Sequence, residues 1–286
     1  VKDLKMSILI CPHCKNSLYD SGERSFVCDN KHNFDLAKQG YLNLLPVNQK
    51  KSKNPGDNEM MIAARRTFLE LGFYDPLIES LKKLIGEKIS FKSNAINAFD
   101  AGCGEGYYSE KALNHLPNLK AKICGTDISK YAVKNAARKY KDNFYFVSSI
   151  YNLPIADASI DLILSIFSPI MAEEFKRILS EQGAVIIVSP AAGHLNELAA
   201  LIYDEVKPHS STIIEQMTSQ FEHESKHRTT FSINFNKSED ILSLLKMTPY
   251  YWSTGLDRLE NITNKSELSV TCDFNIDLFK LKSSNQ

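Results

Sequence analysis

The chain has 286 residues, of which 43% are hydrophobic and 24% charged, and its 34 basic side chains balance its 34 acidic ones. These values are typical of a globular protein of one or two domains and exclude a disordered or fibrous chain. A net charge of zero gives the whole molecule no bias toward a polyanion, and no apolar run approaches the roughly 18 residues of a membrane span. Without a secretory signal we expect a cytoplasmic protein, whose six cysteines are thiols or metal ligands.

The first chemically specific feature is a pair of cysteine-containing turns. Cys11 and Cys14 form a Cys-x-x-Cys motif, and Cys28 with His32 forms a Cys-x-x-x-His motif thirteen residues later. Two such turns can close a tetrahedron around zinc. His13 competes as the fourth ligand, but His32 gives the second pair its own turn and is preferred. Bound zinc would supply the folding free energy that a segment of about forty residues lacks.

A basic stretch follows, with five lysines and one acid between residues 31 and 53. Lys50, Lys51 and Lys53 lie in a polar segment, 48–57, that has the composition of a linker. Two interpretations remain open: the lysines are a solvated loop, or they contact nucleic-acid phosphates.

Two helices are predicted next. The apolar spacing of residues 58–71 indicates a helix for which Asp57 is a plausible N-cap, and Arg65 and Arg66 add two cations to it. Gly72 ends this helix, and a second is predicted from about residue 75 to 89.

From residue 96 the pattern alternates between strand and helix. Predicted strands are 96–100, 122–126, 143–147, 160–166 and 184–188, with helices at 108–116, 129–140 and 173–179. Apolar strands separated by helices predict a parallel sheet covered on both faces. Beyond it we expect a helix at 195–206, a polar segment containing His209, His223 and His227, a helix at 238–246 and a strand at 268–276.

A glycine-rich loop joins the first strand of this sheet to its helix. It reads Asp100, then Gly102-x-Gly104-x-Gly106, and glycines there let a nucleotide approach the backbone at a helix N-terminus. The spacing differs from the dinucleotide fingerprint and favours S-adenosylmethionine over NAD. Asp127, 21 residues after Gly106, is placed to accept both ribose hydroxyls. Asp100 either holds the loop by accepting backbone N–H bonds or contacts the cofactor through water.

Other strand ends are less informative. Asp157 is a third acid near a predicted strand end, and Ser148-Ser149 follows the third strand, where a carboxylate often meets the adenine amine. The fourth strand ends in Ser165-Ile-Phe-Ser-Pro169, which lacks the Asn-Pro-Pro-Tyr type of motif used on exocyclic base amines.

Long motifs in a fixed order make the pattern specific. They are Cys11-Pro-x-Cys14, Asp35-x-Ala-Lys-x-Gly-Tyr-x-Asn-Leu-Leu-Pro46, Pro55-Gly-Asp57, Met60-Met61, Ala64-Arg65-Arg66, Asp100-x-Gly-Cys-Gly-Glu-Gly-Tyr-Tyr108, His194-Leu-x-Glu-Leu198 and Met247-Thr-Pro249. The chain resembles the bacterial large-subunit rRNA guanine-N1 methyltransferase family. The resemblance implies a class I S-adenosylmethionine-dependent methyltransferase, an α/β fold with a mostly parallel seven-stranded sheet. We expect a zinc-binding, RNA-recognition module at 1–45, linker and helices at 46–92, and the methyltransferase domain at 93–286.

The resemblance also implies roles for single residues. Zinc would be held by Cys11, Cys14, Cys28 and His32, and the cofactor would contact Tyr74, Glu105 and His194 besides Gly102, Gly104, Asp100 and Asp127. The substrate would be a hairpin loop of 23S rRNA near the peptide exit tunnel, bound by a homodimer without membrane contact. Candidate RNA-binding residues are Lys50, Lys51, Lys53, Arg65 and Arg66.

The mechanism is only partly defined by the sequence. Guanine N1 carries a proton at neutral pH, and no residue is identified as the base that removes it. Phe167, Tyr250 or Trp252 offers a stacking face for the unstacked base. Two other functions remain open: a small-molecule methyltransferase with a structural zinc module, and a non-catalytic RNA-binding protein that retains the fold.

Overall fold

Two β-sheets organise the computed structural model, which describes residues 8–49, 55–114 and 116–282, with only the backbone at 252 and 253. The smaller sheet is antiparallel and consists of β1 (Tyr19–Asp20), β2 (Ser25–Val27) and β3 (Asn33–Asp35). It belongs to the cysteine-rich segment, for which the sequence predicted metal-binding turns but no strands.

The larger sheet has the strand order β10-β11-β9-β8-β5-β6-β7-β4. In this order, each strand from β9 to β4 is parallel to its neighbour. Strand β11 is antiparallel to both β9 and β10. The strands are β4 (Leu42–Asn43), β5 (Ala95–Ala101), β6 (Lys120–Asp127), β7 (Phe144–Val147), β8 (Ile160–Ile166), β9 (Leu179–Pro190), β10 (Phe221–Phe235) and β11 (Leu268–Leu281). The predicted class I methyltransferase fold is confirmed, and β4 adds an eighth strand to the seven expected.

Helices cover both faces of this sheet. They are α1 (Glu59–Glu70), α2 (Asp75–Lys88), α3 (Tyr107–Leu113), α4 (Lys130–Lys139), α5 (Ala172–Ile178), α6 (Asn196–Ala199), α7 (Ile213–Met217), α8 (Ser238–Met247), α9 (Tyr250–Ser253) and α10 (Leu256–Thr263). A 3-10 turn spans Val47–Gln49. Within the described ranges, no helix is long and apolar enough to cross a membrane.

Helix α1 begins at Glu59, one residue later than predicted, and its N-cap is shifted by one residue as well. Asn58, not Asp57, is the N-cap, because its Oδ1 accepts a hydrogen bond from the Met61 N–H at 3.0 Å. Asp57 forms an ion pair with Arg65 instead, at 2.6 Å. The prediction of an Asp57 cap is therefore wrong.

Strand β10 corrects a second prediction. The segment around His223 and His227 was predicted only to be polar, without a strand, but it forms a fifteen-residue strand at the edge of the sheet. Exposed and half-buried residues alternate along most of it, so one face carries charges and no apolar run reveals the strand. The helix expected at 195–206 is also shorter, since α-helical geometry covers only Asn196–Ala199.

The cysteine-rich segment shares its hydrophobic core with the large sheet. Phe26 and Leu42 are fully buried in one cluster with Phe144 and Phe146 of β7. The Ile10 N–H donates to the Pro154 carbonyl at 3.0 Å, which ties the two parts together through the backbone. The packing thus continues across the boundary predicted at residue 45.

Candidate active site

The two cysteine-containing turns bring four metal-ligating side chains together. The ligand atoms of Cys11, Cys14, Cys28 and His32 all lie within 4.8 Å of one another. His32 Nδ1 is 3.4 Å from the sulfurs of Cys11 and Cys28, and the sulfurs of Cys14 and Cys28 are 3.6 Å apart. Zinc–sulfur bonds of about 2.3 Å in a tetrahedron require separations slightly below 4 Å, so this donor set fits zinc.

The backbone explains why the four ligands converge. In the first turn the Lys15 N–H donates to the Cys11 carbonyl at 2.9 Å, and in the second the Lys31 N–H donates to the Cys28 carbonyl at 2.8 Å. Lys15 and Lys31 both have positive φ, 64° and 62°. Each turn thus closes with a backbone hydrogen bond to the carbonyl of its first cysteine and contains a lysine of positive φ, although the bond spans four residues in the first turn and three in the second. His13 lies outside the cluster of four, with its ring centroid 5.1 Å from that of His32.

The glycines of the loop between β5 and α3 have two different roles: some allow close packing of the protein, and one faces the ligand cavity. A Cβ on Gly102 would collide with the Ser168 side chain, and a Cβ on Gly106 would collide with the Tyr145 hydroxyl. A Cβ on Gly104 would meet only Arg65 Nη1, at 3.7 Å. The backbone of Gly104 is therefore bare toward a cavity, as close approach of a nucleoside cofactor requires.

Asp127, at the end of β6, holds this loop. Its Oδ2 accepts the Gly104 N–H at 3.0 Å and its Oδ1 accepts the Ser129 N–H at 2.8 Å. The alternative in which Asp100 accepts the loop's backbone N–H groups is therefore not what the structure shows. Asp100 is buried behind the loop, and burial raises the pKa of its carboxyl to about 7.

A cavity of about 890 Å³ opens at the carboxyl ends of the parallel strands. Predicted cofactor residues that line it are Tyr74, Gly102, Gly104, Glu105, Asp127 and His194. Asp100 is not among the lining residues, and neither is Asp157, which is exposed near the amino end of β8 and pairs with Arg177 at 2.7 Å. The serines after β7, Ser148 and Ser149, do reach the cavity. The site lies where an open α/β sheet binds its ligand.

Each of the two predicted RNA-binding arginines forms an ion pair with an acid that lines this cavity. Arg66 donates to Glu105 Oε1 through Nε at 2.9 Å and also through Nη2, while Arg65 pairs with Asp57. Glu105 is only 8% exposed, and burial raises its pKa although Arg66 opposes the shift. The Arg66–Glu105 pair ties α1 to the glycine loop, and an RNA contact by either arginine stays a prediction. Lys50, Lys51 and Lys53 lie outside the described residues.

His194 is held in one tautomer. Its Nδ1 accepts the backbone N–H of Asp273 at 3.3 Å, so the ring proton of neutral His194 is on Nε2. Burial, and then the nearby His209, lower the pKa of His194 to about 4. His194 is therefore a neutral hydrogen-bond donor at physiological pH.

Asp273 on β11 is part of the site's support that sequence reasoning missed. Its carboxylate accepts two hydrogen bonds from Arg228, both at 2.7 Å, and one from the Gly193 N–H at 3.1 Å. The Arg228 guanidinium lowers the pKa of Asp273 to about 2. The available signal was a carboxylate flanked by apolar residues in a mostly apolar strand, between Cys272 and Phe274.

Aromatic side chains line the part of the cavity beyond β8 and β9. Phe167 is 42% exposed and has a φ of 54°, a strained conformation that clusters at functional sites. Its ring lies 5.8 Å from Tyr108 and 5.3 Å from Phe274. Tyr250 also lines the cavity, whereas the side chain of Trp252 is not described. Tyr74 is buried, with its ring 5.0 Å from Phe68.

Gly104→Ala is expected to weaken S-adenosylmethionine binding at least about tenfold, because the new methyl group occupies space that the cofactor uses. The cost to folding should be about 1 kcal/mol, since only the positive φ is strained. Calorimetric titration and thermal melting measure the two effects. Gly106→Ala is the matched comparison and should instead destabilise the fold, because its Cβ meets Tyr145. Unaltered cofactor affinity in Gly104→Ala would contradict this placement of the cofactor.

Comparison with known proteins adds independent observations. A zinc-ribbon family profile described as "RlmA, N-terminal" matches residues 9–53, and a profile described as "Methyltransferase domain" matches residues 99–187. The first match contains all four clustered metal ligands.

Relatives match almost end to end. A Bacillus subtilis (strain 168) protein, named provisionally as a 23S rRNA (guanine-N(1)-)-methyltransferase, is 31% identical over 280 residues, 96% of this chain and 98% of that protein. The 23S rRNA (guanine(748)-N(1))-methyltransferase of Streptomyces fradiae is 31% identical over 256 residues, 88% of each chain. The likeness therefore includes both the metal cluster and the cavity.

Proposed function

Because the chain belongs to the 23S rRNA (guanine-N1)-methyltransferase family, we propose that it transfers a methyl group from S-adenosylmethionine to N1 of a guanine in a hairpin loop of 23S rRNA. The observation that carries the proposal is the presence, in one shared core, of a zinc-ligand cluster and a strand-end cavity with a ligand-facing glycine. In a small-molecule methyltransferase the first of these would have only a structural role.

The nucleoside half of the cavity accounts for cofactor binding. Asp127 receives the ribose hydroxyls, Gly104 lets the ligand lie against bare backbone, and Ser148 and Ser149 lie where the adenine edge is bound. Bound S-adenosylmethionine supplies a methyl group on a positively charged sulfur, which is already a good leaving group. The protein's task is then chiefly to align donor and acceptor.

The target guanine is bound in the other half of the cavity, the part beyond β8 and β9 that aromatic side chains line. A guanine inside a folded RNA must be unstacked before its N1 can be reached, and an aromatic face compensates for the lost stacking. Phe167 is partly exposed at this position, and Tyr250 lies on the same cavity. The volume of about 890 Å³ is at the upper end of the range for small-ligand sites, so it has space for a cofactor and a base together.

The proposal extends to the assembly and its cellular location. We place the enzyme in the cytoplasm with its ribosomal substrate, acting as a homodimer whose zinc modules, at 1–45, grip the RNA. The segment 46–92 then connects that module to the methyltransferase domain, 93–286. Analytical ultracentrifugation with and without an RNA hairpin tests the dimer, which should be present in both samples.

Reverse transcription tests the function directly. Methylation at N1 blocks Watson–Crick pairing, so a primer extended across the modified loop should stop one nucleotide before the target guanine. Purified 23S rRNA from a strain lacking the gene should show the stop only after incubation with the protein and S-adenosylmethionine. Read-through at every guanine after incubation would contradict the proposal.

Reversing the charge of the three linker lysines should weaken RNA binding. The variant Lys50→Glu, Lys51→Glu, Lys53→Glu is expected to lose at least about tenfold in affinity and to show a flatter salt dependence, because phosphate contacts release counterions. Cofactor affinity should stay unchanged. The matched control reverses the exposed Lys83, Lys88 and Lys92 around the end of α2, before β5 begins. Equal losses in both variants would mean that only net charge matters, and the linker would have no special role.

A further inference from the structure

Guanine N1 carries a proton that the proposed reaction must remove, and most titratable groups on the cavity are already engaged. Asp127 accepts two backbone N–H groups, Glu105 is paired with Arg66, and Asp57 is paired with Arg65. Proton uptake by Glu105 or Asp57 would break an ion pair with an arginine, although burial raises the pKa of Glu105. These three acids therefore hold the cofactor loop and α1.

Two further groups on the cavity are excluded by their protonation. His194 uses its Nδ1 lone pair for the Asp273 N–H, which leaves a proton and no lone pair on Nε2. Cys103 is buried, and burial raises the pKa of its thiol well above the ordinary value, so no thiolate is available. Neither group can accept the N1 proton.

His209 remains. It lies between α6 and α7, is half-buried and lines the same cavity as Gly104 and Phe167. Its Nε2 is 3.2 Å from the Tyr250 hydroxyl oxygen, and its ring centroid is 5.9 Å from that of His194. No carboxylate forms an ion pair with it among the residues that the structure describes. Imidazole is also the side chain best suited to gain and lose a proton near neutral pH.

We propose that His209 is the general base that accepts the N1 proton of the target guanine, with Tyr250 orienting its ring. The inference rests on the proposed function. In the competent tautomer Nε2–H donates to the Tyr250 oxygen, and Nδ1 keeps the lone pair that takes the proton. The electron pair of the N1–H bond stays on N1 and forms the bond to the methyl carbon. The electron pair of the methyl–sulfur bond stays on sulfur, which becomes neutral.

The surroundings tolerate the cation that forms on His209. Tyr250 faces it from α9, and burial raises the pKa of this phenol, so it stays neutral. His194 faces it from the segment after β9 and is neutral as well. Behind His194 lie the carboxylates of Asp273 and Glu197, which attract a positive charge at this end of the cavity. The new imidazolium therefore meets no neighbouring cation among these groups.

The variant His209→Asn, assayed under single-turnover conditions on the RNA hairpin, tests the base directly. Methyl transfer near neutral pH should fall by about 10²- to 10⁴-fold. The deficit should shrink in alkaline buffer, where N1 loses its proton without help. Calorimetric affinities for S-adenosylmethionine and for the RNA should remain within about twofold of the parent protein. His227→Asn, on the edge strand and outside the cavity lining, is the matched control and should keep the parent rate.

Chemical rescue by added imidazole distinguishes a proton-accepting role of His209 from a purely structural one. Adding imidazole to His209→Ala should restore at least about tenfold of the lost rate, with an increase that follows the concentration of neutral imidazole. Tyr250→Phe should lower the rate only modestly, since the histidine itself remains. A rate loss equal at all pH values, absent rescue, or loss of cofactor affinity would overturn the assignment. If the parent protein itself forms no 1-methylguanosine, the proposed function fails, and that result is distinct from a failure of His209 alone.

Discussion

Asp127→Asn is expected to weaken S-adenosylmethionine binding at least about a hundredfold, because two hydroxyl groups lose a charged acceptor, each such hydrogen bond contributing about 1.5–3 kcal/mol. The substitution also weakens the hydrogen bonds that hold the glycine loop. Oδ1 and Oδ2 each accept a backbone N–H, and an asparagine NH₂ facing either one replaces an acceptor with a donor. Isothermal titration with S-adenosylmethionine measures the binding, and circular dichroism checks that the chain stays folded.

The control for this variant is Asp157→Asn. Asp157 is exposed and pairs with Arg177 away from the cavity, so the same chemical change there should leave cofactor binding intact. Surface ion pairs of this kind contribute at most about 1 kcal/mol to stability. Comparable losses of affinity in both variants would show that Asp127 has no special position at the ribose.

Cys28→Ser is expected to release zinc and to destabilise the methyltransferase sheet together with the amino-terminal module. If the module were independent, cofactor binding would survive the loss of zinc. The packing argues otherwise, because Cys28 and Phe26 lie in one buried cluster with β7, and the Phe26 and Phe144 rings are 6.2 Å apart. Structural zinc contributes on the order of 10 kcal/mol in isolated zinc fingers, so we expect several kcal/mol of lost stability.

Calorimetric melting, zinc content and cofactor titration together measure this effect. The comparison variant is Cys14→Ser, whose side chain is only half-buried, so the cost of burying a hydroxyl is smaller than at Cys28. Equal destabilisation in the two variants identifies the metal as the cause. A melting temperature of the sheet that does not change in either variant would show that the two parts fold independently.

Local patterns account for what could be predicted from the sequence. The Gly102-x-Gly104-x-Gly106 spacing, the apolar strands and the two cysteine-containing turns each depend on neighbours within a few residues. The cofactor loop, the parallel part of the sheet and the metal ligands were predicted for that reason. The helix predicted at 129–140 likewise depends on local features, since the Ser129 side chain at its start accepts the Ala132 N–H.

Contacts between distant segments account for what was missed. Arg66 and Glu105 are 39 positions apart, and Asp273 meets Arg228 across 45. The pairing of β10 with β11 is also long-range. Because the outer face of β10 is charged, the strand contains no apolar run that would predict it from the sequence. His209 and Tyr250 are 41 positions apart, so no local pattern suggests that they form a pair. The residues that complete the site come together only in the folded chain.

Nucleoside mass spectrometry tests the central claim most directly. The protein is incubated with unmodified 23S rRNA and S-adenosylmethionine that carries an isotopically labelled methyl group, and the RNA is then digested to nucleosides. The label should appear in 1-methylguanosine and in no other nucleoside. Label in another methylated nucleoside, or an RNA that stays unlabelled while the protein binds S-adenosylmethionine, would contradict it.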